Sequence, residues 1–157
     1  MKLENCKTSR GHQEPFSIQF AIFIPNKVGK LLSLFNALSE NKISVAGFSI
    51  VNSTDWQVIR AVFYDTNKAR EILTRCGYGF SESNVLLLEI ANQEDFFQAC
   101  EHLLNAEVSV EYAFSLTVRN ENNSIIALSV EDYLLATHLL IRHDFTLLGS
   151  EDLADPH

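Results

Sequence analysis

The fold is decided by the stretch Ile24-Pro25-Asn26-Lys27-Val28-Gly29-Lys30-Leu31, where one pattern of side chains ends and another begins. Before it, apolar side chains recur at every second position from Phe16 to Ile24, which predicts a strand with one buried face. After it, apolar residues recur at helical spacing from Leu31 to Leu38. The turn between them can point backbone N–H groups at a small anionic ligand. It is equally compatible with a plain strand-to-helix connection.

The remaining chain continues this succession of strands and helices. In the first half, strands are predicted at 43–51 and 56–64, and a short one near 80–82, with a helix that Asp65 caps. In the second half, strands are predicted at 85–90, 108–118, 124–130 and 145–148, with helices around 96–104 and after Asp132.

An internal repeat accounts for this order. Ile43-Ser44-Val45 recurs as Val108-Ser109-Val110, and Asp65 with Ala69 recurs at a similar offset as Asp132 with Ala136. The sequence therefore predicts an α+β fold of two ferredoxin-like βαββαβ repeats, packed side by side, with antiparallel sheets covered by helices on one face. The expected boundaries are a flexible N-terminal tail at 1–15, a first domain at 16–83 and a second at 84–157. Ser83-Asn84 is the whole junction.

Composition limits the classes of partner. The chain has 157 residues and a net charge of -8, which argues against nucleic acid and anionic membranes, because both need clustered Lys and Arg. Its three cysteines are far apart, so a disulfide framework is not expected. The N-terminus lacks the apolar core of a signal peptide, and no run approaches a membrane span. These features favour a cytoplasmic protein.

Several motifs in order resemble the ACT domain family, specifically small proteins made of two ACT domains in tandem. They are the Asn26-to-Leu31 loop, Ser49-Ile50 before the Thr54-Asp55 turn, Asp65-Thr66-Asn67-Lys68-Ala69 and the ending Gly149-Ser150-Glu151-Asp152-Leu153. The resemblance extends from about Phe16 to Leu153.

This resemblance implies a non-enzymatic regulatory or sensor protein that binds an amino acid or similar small molecule at an ACT–ACT interface. By analogy, it also implies a homodimer and a metabolic enzyme as partner. The ligand would lie between the loop after the first strand of one domain and the second strand of its neighbour. The implied ligand-binding residues are Asn26, Val28, Gly29, Lys30, Leu31, Ser44, Val45, Ser109 and Val110.

The second repeat departs from the loop motif. Asn92-Gln93-Glu94-Asp95-Phe96-Phe97 has no glycine, and Glu94 and Asp95 would repel a ligand carboxylate. They suit instead the N-terminus of their own helix. We therefore expect one site per chain, on the first loop. Ser44 stands where many amino-acid-binding members have Asn, which puts the choice of ligand in question.

Two alternatives remain open. A degenerate ACT pair could act as a protein–protein interaction module without ligand, since the alternating strand Val108 to Val118 could offer an edge for pairing. An acylphosphatase-type enzyme would need a basic cradle, but the first loop offers only Lys27 and Lys30 and no arginine.

Other reactive side chains have structural explanations. No catalytic motif is present, so no catalytic residue and no cofactor are predicted. His138 and His143 lack the i, i+4 spacing of metal ligands, so no metal site is predicted. Trp56 is expected as a packing anchor, and Cys76 and Cys100 as small core residues.

Overall fold

The computed structural model describes residues 17–153, so the predicted tail and Phe16 lie outside the described residues. Contacts divide this part of the chain into two compact units, Ile18–Ser83 and Asn84–Leu153. Along the chain the elements are β1 (Ser17–Pro25), α1 (Lys30–Glu40), β2 (Val45–Asn52), β3 (Trp56–Phe63), α2 (Thr66–Arg75), β4 (Gly79–Ile90), α3 (Gln93–Asn105), β5 (Val110–Asn120), β6 (Asn123–Val130), α4 (Tyr133–Arg142) and β7 (Thr146–Leu148), followed by a 3₁₀ turn at Ser150–Asp152. The predicted α+β fold of two βαββαβ repeats is confirmed.

The first unit is an antiparallel sheet with its helices on one face. Its strand order is β2-β3-β1-β4. In the β1–β3 pairing, Phe20 faces Ala61 and Ile22 faces Ile59. These side chains form one core with Leu34 of α1 and with the buried residues of α2. The alternation in β1 therefore buries one face of the strand against the helices, as the sequence predicts.

The second unit repeats the arrangement. Its strand order is β7-β4-β6-β5, and its core joins the strands to α3 and α4 through residues such as Leu88, Leu103 and Leu140. The correspondence extends to irregularities, because β2 departs from regular pairing between Val45 and Gly47, and β5 between Val110 and Tyr112. The starts of β2 and β5, which occupy corresponding positions in the two repeats, thus share the same irregularity in strand pairing.

Two of the predicted helix caps are present. The Asp65 carboxylate accepts a hydrogen bond from Lys68 N at 3.0 Å, and the Asp132 carboxylate accepts one from Leu135 N at 3.0 Å. Each bond satisfies an N–H group that has no partner within its helix.

One strand boundary predicted from the sequence is wrong. Two strands are expected near 80–82 and 85–90, but β4 runs without interruption from Gly79 to Ile90. Ser83 keeps the strand conformation, and its hydroxyl accepts a hydrogen bond from Gln19 Nε2 at 3.0 Å. Polar side chains at a junction do not end a strand when neither proline nor glycine interrupts the backbone pairing.

Two side chains expected in the interior are exposed instead. Trp56, predicted as a packing anchor, is 52% exposed at the start of β3. Cys76 ends α2 on the surface, whereas Cys100 is half-buried in α3. Both errors fall at the ends of elements, where periodicity does not report which side faces the core.

Candidate functional site

The first loop, Asn26–Gly29, is tied to the β2–β3 hairpin by Asn26. Its backbone N–H donates to Asp55 O at 2.8 Å, and its side-chain Nδ2 donates to Ser53 O at 3.0 Å. Asn26 therefore holds the loop against the neighbouring turn, a role that the sequence pattern did not reveal. Its amide nitrogen is already engaged, so the group available to a ligand is the carbonyl oxygen.

Gly29 forms the N-terminal boundary of α1 in the left-handed conformation, with φ of 86°. Its carbonyl accepts the first helical bond, from Ser33 N at 2.9 Å. Among residues 17–153 no side chain caps this helix, and no acidic residue lies in its first turn, although Lys30 N donates to the Lys27 carbonyl at 3.2 Å. The first N–H groups of a helix lack intrahelical acceptors, and the helix dipole adds positive potential there. The start of α1 therefore suits an anion.

The remaining loop residues differ in exposure. Val28 is fully exposed, and Lys30 is exposed at the first helical position. Leu31 is half-buried and packs against the core of the first unit. Of these three residues, Leu31 is thus the one whose side chain contributes to the hydrophobic core.

Ser44 and Val45 lie at the opposite end of the sheet from this loop. Pro25 pairs with Trp56 at the start of β3, whereas Val45 pairs with Phe63 at its end. At a rise of about 3.3 Å per residue, the two ends of β3 are roughly 20 Å apart. Within one repeat, the loop and the start of β2 therefore cannot contact the same amino acid.

Ser109 and Val110 occupy the same positions in the second unit. The Ser44 carbonyl accepts from Tyr64 N at 3.3 Å, and the Ser109 carbonyl accepts from Glu131 N at 3.0 Å. The Ser44 hydroxyl is buried and has no hydrogen-bond partner within the described chain, while Ser109 is exposed. Both serines precede their strands, because β2 begins at Val45 and β5 at Val110.

The second loop is closed by its own side chains. Asn92 Oδ1 accepts from Asp95 N at 3.0 Å, and Asp95 Oδ2 accepts from Ala91 N at 2.9 Å. This reciprocal arrangement satisfies the start of α3 from within. Only Ala91 and Asn92 separate β4 from α3, so the positions corresponding to Val28 and Gly29 are already helical. The acidic residues serve their own helix, as the sequence predicts.

Titration shifts arise mainly from local packing. Burial raises the pKa of the Tyr78 phenol, and the nearby Cys76 adds to this rise, so Tyr78 keeps its O–H at neutral pH. Burial also raises the pKa of the Cys100 thiol. The hydrogen bond from Arg70 lowers the pKa of Glu82, with desolvation opposing this and the Arg70 charge adding to it. None of these groups lies in the first loop.

Two further observations concern residues 17–153 as a whole. No three His, Cys, Asp or Glu side chains in this range are placed to hold a metal ion together. No helix in the same range is both long and apolar enough to cross a bilayer.

Comparisons with known proteins point to one family. The family model described as "ACT domain pair" matches residues 16–155. No curated protein sequence matches the chain significantly.

Solved structures show the same fold at low sequence identity. Protein BT0572 from Bacteroides thetaiotaomicron is 21% identical with a TM-score of 0.79, covering 87% of this chain and 94% of that one. The ligand-free regulatory subunit of aspartate kinase from Thermus thermophilus is 14% identical with a TM-score of 0.53, covering 80% and 91%. The corresponding subunit from Thermus flavus is 16% identical with a TM-score of 0.51, covering 81% and 90%.

Proposed function

This chain belongs to the family of ACT domain pairs, and on that premise we propose that it is a non-enzymatic regulatory protein that binds an amino acid through its first loop. The observation that carries the proposal is the difference between the two loops. The first leaves α1 without a cap and without acid, whereas the second is closed by Asn92 and Asp95. A turn that only had to connect a strand to a helix could have been closed in the same way.

The chemistry of the first loop suits a small zwitterion. The N–H groups at the start of α1 would receive the ligand carboxylate, and the exposed Lys30 would add positive charge. Apart from its two chain neighbours, Gly29 has no described residue within 4 Å of the position a Cβ would take, so a ligand can approach its backbone closely. The Asn26 carbonyl oxygen would accept from the ammonium group. Val28 would cover the ligand from the solvent side.

The second half of the site would come from another ACT domain. Ser44 and Val45 are too far from the loop of their own repeat, and Ser109 and Val110 occupy the same place in theirs. A start of β2 supplied by a neighbouring domain, as in the family pattern, would meet the ligand instead. Association of two copies of the chain would provide such neighbours, so we propose a homodimer.

A ligand held between two domains can act as a signal. It shifts the population towards the arrangement that binds it more tightly, and only by the difference between its two affinities. Two of the neighbours with this fold are regulatory subunits of aspartate kinase. By analogy of fold alone, a metabolic enzyme is the proposed recipient of the signal.

The test is a thermal-shift screen of the twenty amino acids. An amino acid at about a hundredfold excess over its Kd should stabilise the protein by about 2.7 kcal/mol. Gly29→Asp, which places a carboxylate at the start of α1, should abolish the response. Gln93→Asp, which adds the same charge at the start of α3, is the matched control and should respond like the wild type. The proposal fails if no amino acid raises the melting temperature, or if Gly29→Asp responds as well as the control.

A second candidate is a ligand-free interaction module, favoured by the edge strand β5. Among the described strands β5 pairs only with β6, and it is eleven residues long, with Val110 38% exposed. An exposed edge of this length can pair with a strand of another chain.

Lysine substitutions on β5 would distinguish this candidate. Ala113→Lys and Ser115→Lys add charge at exposed positions of the edge, and they should abolish capture of a specific enzyme or a second copy of the chain in the absence of ligand. A wild type that stays monomeric and captures no enzyme would count against an interaction module.

A further inference from the structure

The two repeats carry clefts at equivalent positions, and the clefts differ in their charged side chains. Each opens where the first strand of the repeat meets its first helix and the loop before its last strand. The aromatic cleft of the first unit has a volume of about 550 Å³ and is lined by Phe23, Pro25, Lys30, Ser33, Trp56 and Tyr78, among others. The acidic cleft of the second unit has about 300 Å³, and its lining includes Glu89, Asp95, Asn123 and Asp144. The size of the first lies within the range of small-molecule sites.

The lining of the aromatic cleft includes two exposed aromatic residues. Trp56 is 52% exposed and Phe23 is 41% exposed, although both belong to paired strands. Pro25 pairs with Trp56 and Phe23 pairs with Val58, so the two aromatic residues are diagonal neighbours on adjacent strands. Diagonal neighbours of this kind are within reach of one flat ligand. Exposed aromatic area beside a concave surface is a feature of binding sites rather than of ordinary solvated strands.

The charged side chain that lines the aromatic cleft is positive. Lys30 contributes an ammonium group, and no aspartate or glutamate among residues 17–153 belongs to the lining. Tyr78 belongs to the same lining and carries an O–H group that can donate a hydrogen bond. The indole N–H of Trp56 is a further donor. The cleft therefore offers donors and a cation but no anionic partner for a ligand ammonium.

The acidic cleft provides an internal comparison. Two of its three carboxylates are used within the protein, because Glu89 accepts from the side-chain amides of Asn120 and Asn123, at 3.0 and 2.9 Å, and Asp95 accepts from Ala91 N. Asn123 stands at the start of its strand as Trp56 does in the first repeat. Phe145 and His143 also line the acidic cleft, so what distinguishes the first cleft is an aromatic residue at the start of this strand, at Trp56, together with the lysine at position 30.

We propose that the aromatic cleft binds a small aromatic monocarboxylate, with its ring against Trp56 and Phe23 and its carboxylate at Lys30. Because the described lining residues include no carboxylate, a ligand without an ammonium group should bind better than the corresponding amino acid. This inference does not depend on the proposed amino-acid site, which uses the exposed loop and a second domain. The two share only Lys30.

Trp56 is the only tryptophan of the chain, so its fluorescence reports on this cleft directly. Titration of the full chain with phenylacetate should give a saturable change, with parallel line broadening of the phenylacetate signals in ligand-observed NMR. Phenylacetamide, which lacks the charge, and phenethylamine and L-phenylalanine, which carry an ammonium, should bind at least about tenfold more weakly. The proposal is overturned if neither signal responds up to about 10 mM phenylacetate, which would reveal a Kd near 1 mM. Equal affinity for phenylacetamide would also overturn it.

Two matched lysine variants locate the charge. Lys30→Met should lower the affinity for phenylacetate about tenfold and leave that for phenylacetamide unchanged. Lys27→Met removes the same charge from the loop just before α1, outside the cleft lining, and should bind phenylacetate like the wild type. If both variants lose affinity equally, the effect is a general one of net charge and the assignment is wrong.

Phe23→Ser separates this inference from the proposed function. Phe23 is exposed, so its loss should leave the fold intact while weakening both phenylacetate and phenylacetamide. The response to an amino acid in the thermal-shift screen should persist in this variant. A variant that binds phenylacetate like the wild type would remove Phe23 from the site.

Discussion

Replacing Gly29 by alanine isolates the backbone strain of the first loop. Gly29 has φ of 86°, and a Cβ added there would meet no atom within 4 Å in the part of the chain that the structure describes, its two chain neighbours aside. Steric clash is therefore excluded, and the change acts through the backbone alone. An L-residue in the left-handed conformation costs about 1–2 kcal/mol. The smaller conformational freedom of the unfolded alanine chain offsets about 0.4–1 kcal/mol of this.

The expected net loss is about 1 kcal/mol in the free energy of unfolding. For a chain of 157 residues this lowers the melting temperature by about 2–4 °C. Gly29→Asn should lose less, since Asn tolerates this conformation better. Asp144 illustrates such tolerance, because it holds φ of 65° in the second repeat.

The assay is urea unfolding followed by far-ultraviolet circular dichroism, with Gly79→Ala as the matched control. Gly79 also has no atom within 4 Å of its added Cβ, but its φ lies outside the left-handed region. Alanine there should be neutral or slightly stabilising. Equal stability of Gly29→Ala and Gly79→Ala would refute the reasoning, because it would mean that the loop relaxes without cost.

Three further changes probe the cap, the core and the ion pair. Asn92→Ala should destabilise the protein by about 1 kcal/mol in urea unfolding, because Asp95 N loses its capping acceptor. Leu34→Ala, at a fully buried position, should cost about 2–5 kcal/mol, whereas Leu32→Ala, at a position 62% exposed, should change stability by less than about 0.5 kcal/mol. Glu82→Gln should be less stable than the wild type at pH 7. Because the folded pKa of Glu82 lies below its ordinary value of 4.5, this difference should begin to shrink near that pH and disappear as the pH falls through the folded pKa, as measured by melting temperature against pH.

Local patterns predicted the elements and their order. The alternation in β1 and the caps at Asp65 and Asp132 depend on residues close together in the chain, and each is found where the sequence places it. The repeat could be recognised for the same reason, since two halves with the same local signals form the same elements. The family resemblance followed from these motifs and is confirmed by the match over residues 16–155.

Local patterns failed at element ends and junctions. Trp56 and Cys76 lie at such ends, and their exposure depends on what the rest of the unit places beside them. The role of Asn26 was missed because its partner Ser53 belongs to a distant hairpin. The turn residues at 26–29 and at 52–55 were the available signal. They do not specify which side-chain amide bonds to which carbonyl.

The sequence by itself determined the two βαββαβ repeats, the glycine in the first loop and the acidic residues in the second. Only the tertiary structure decided that Ser44 and Val45 lie at the far end of the sheet from that loop, and that Trp56, Phe23 and Lys30 line one cleft. The reason is that side-chain periodicity is set within a few residues, whereas the distance between two strands' ends is set by their pairing register across the sheet. The loop around Gly29 can therefore be recognised from the sequence as a motif. Which residues lie beside it on the surface is decided by the folding of the whole unit.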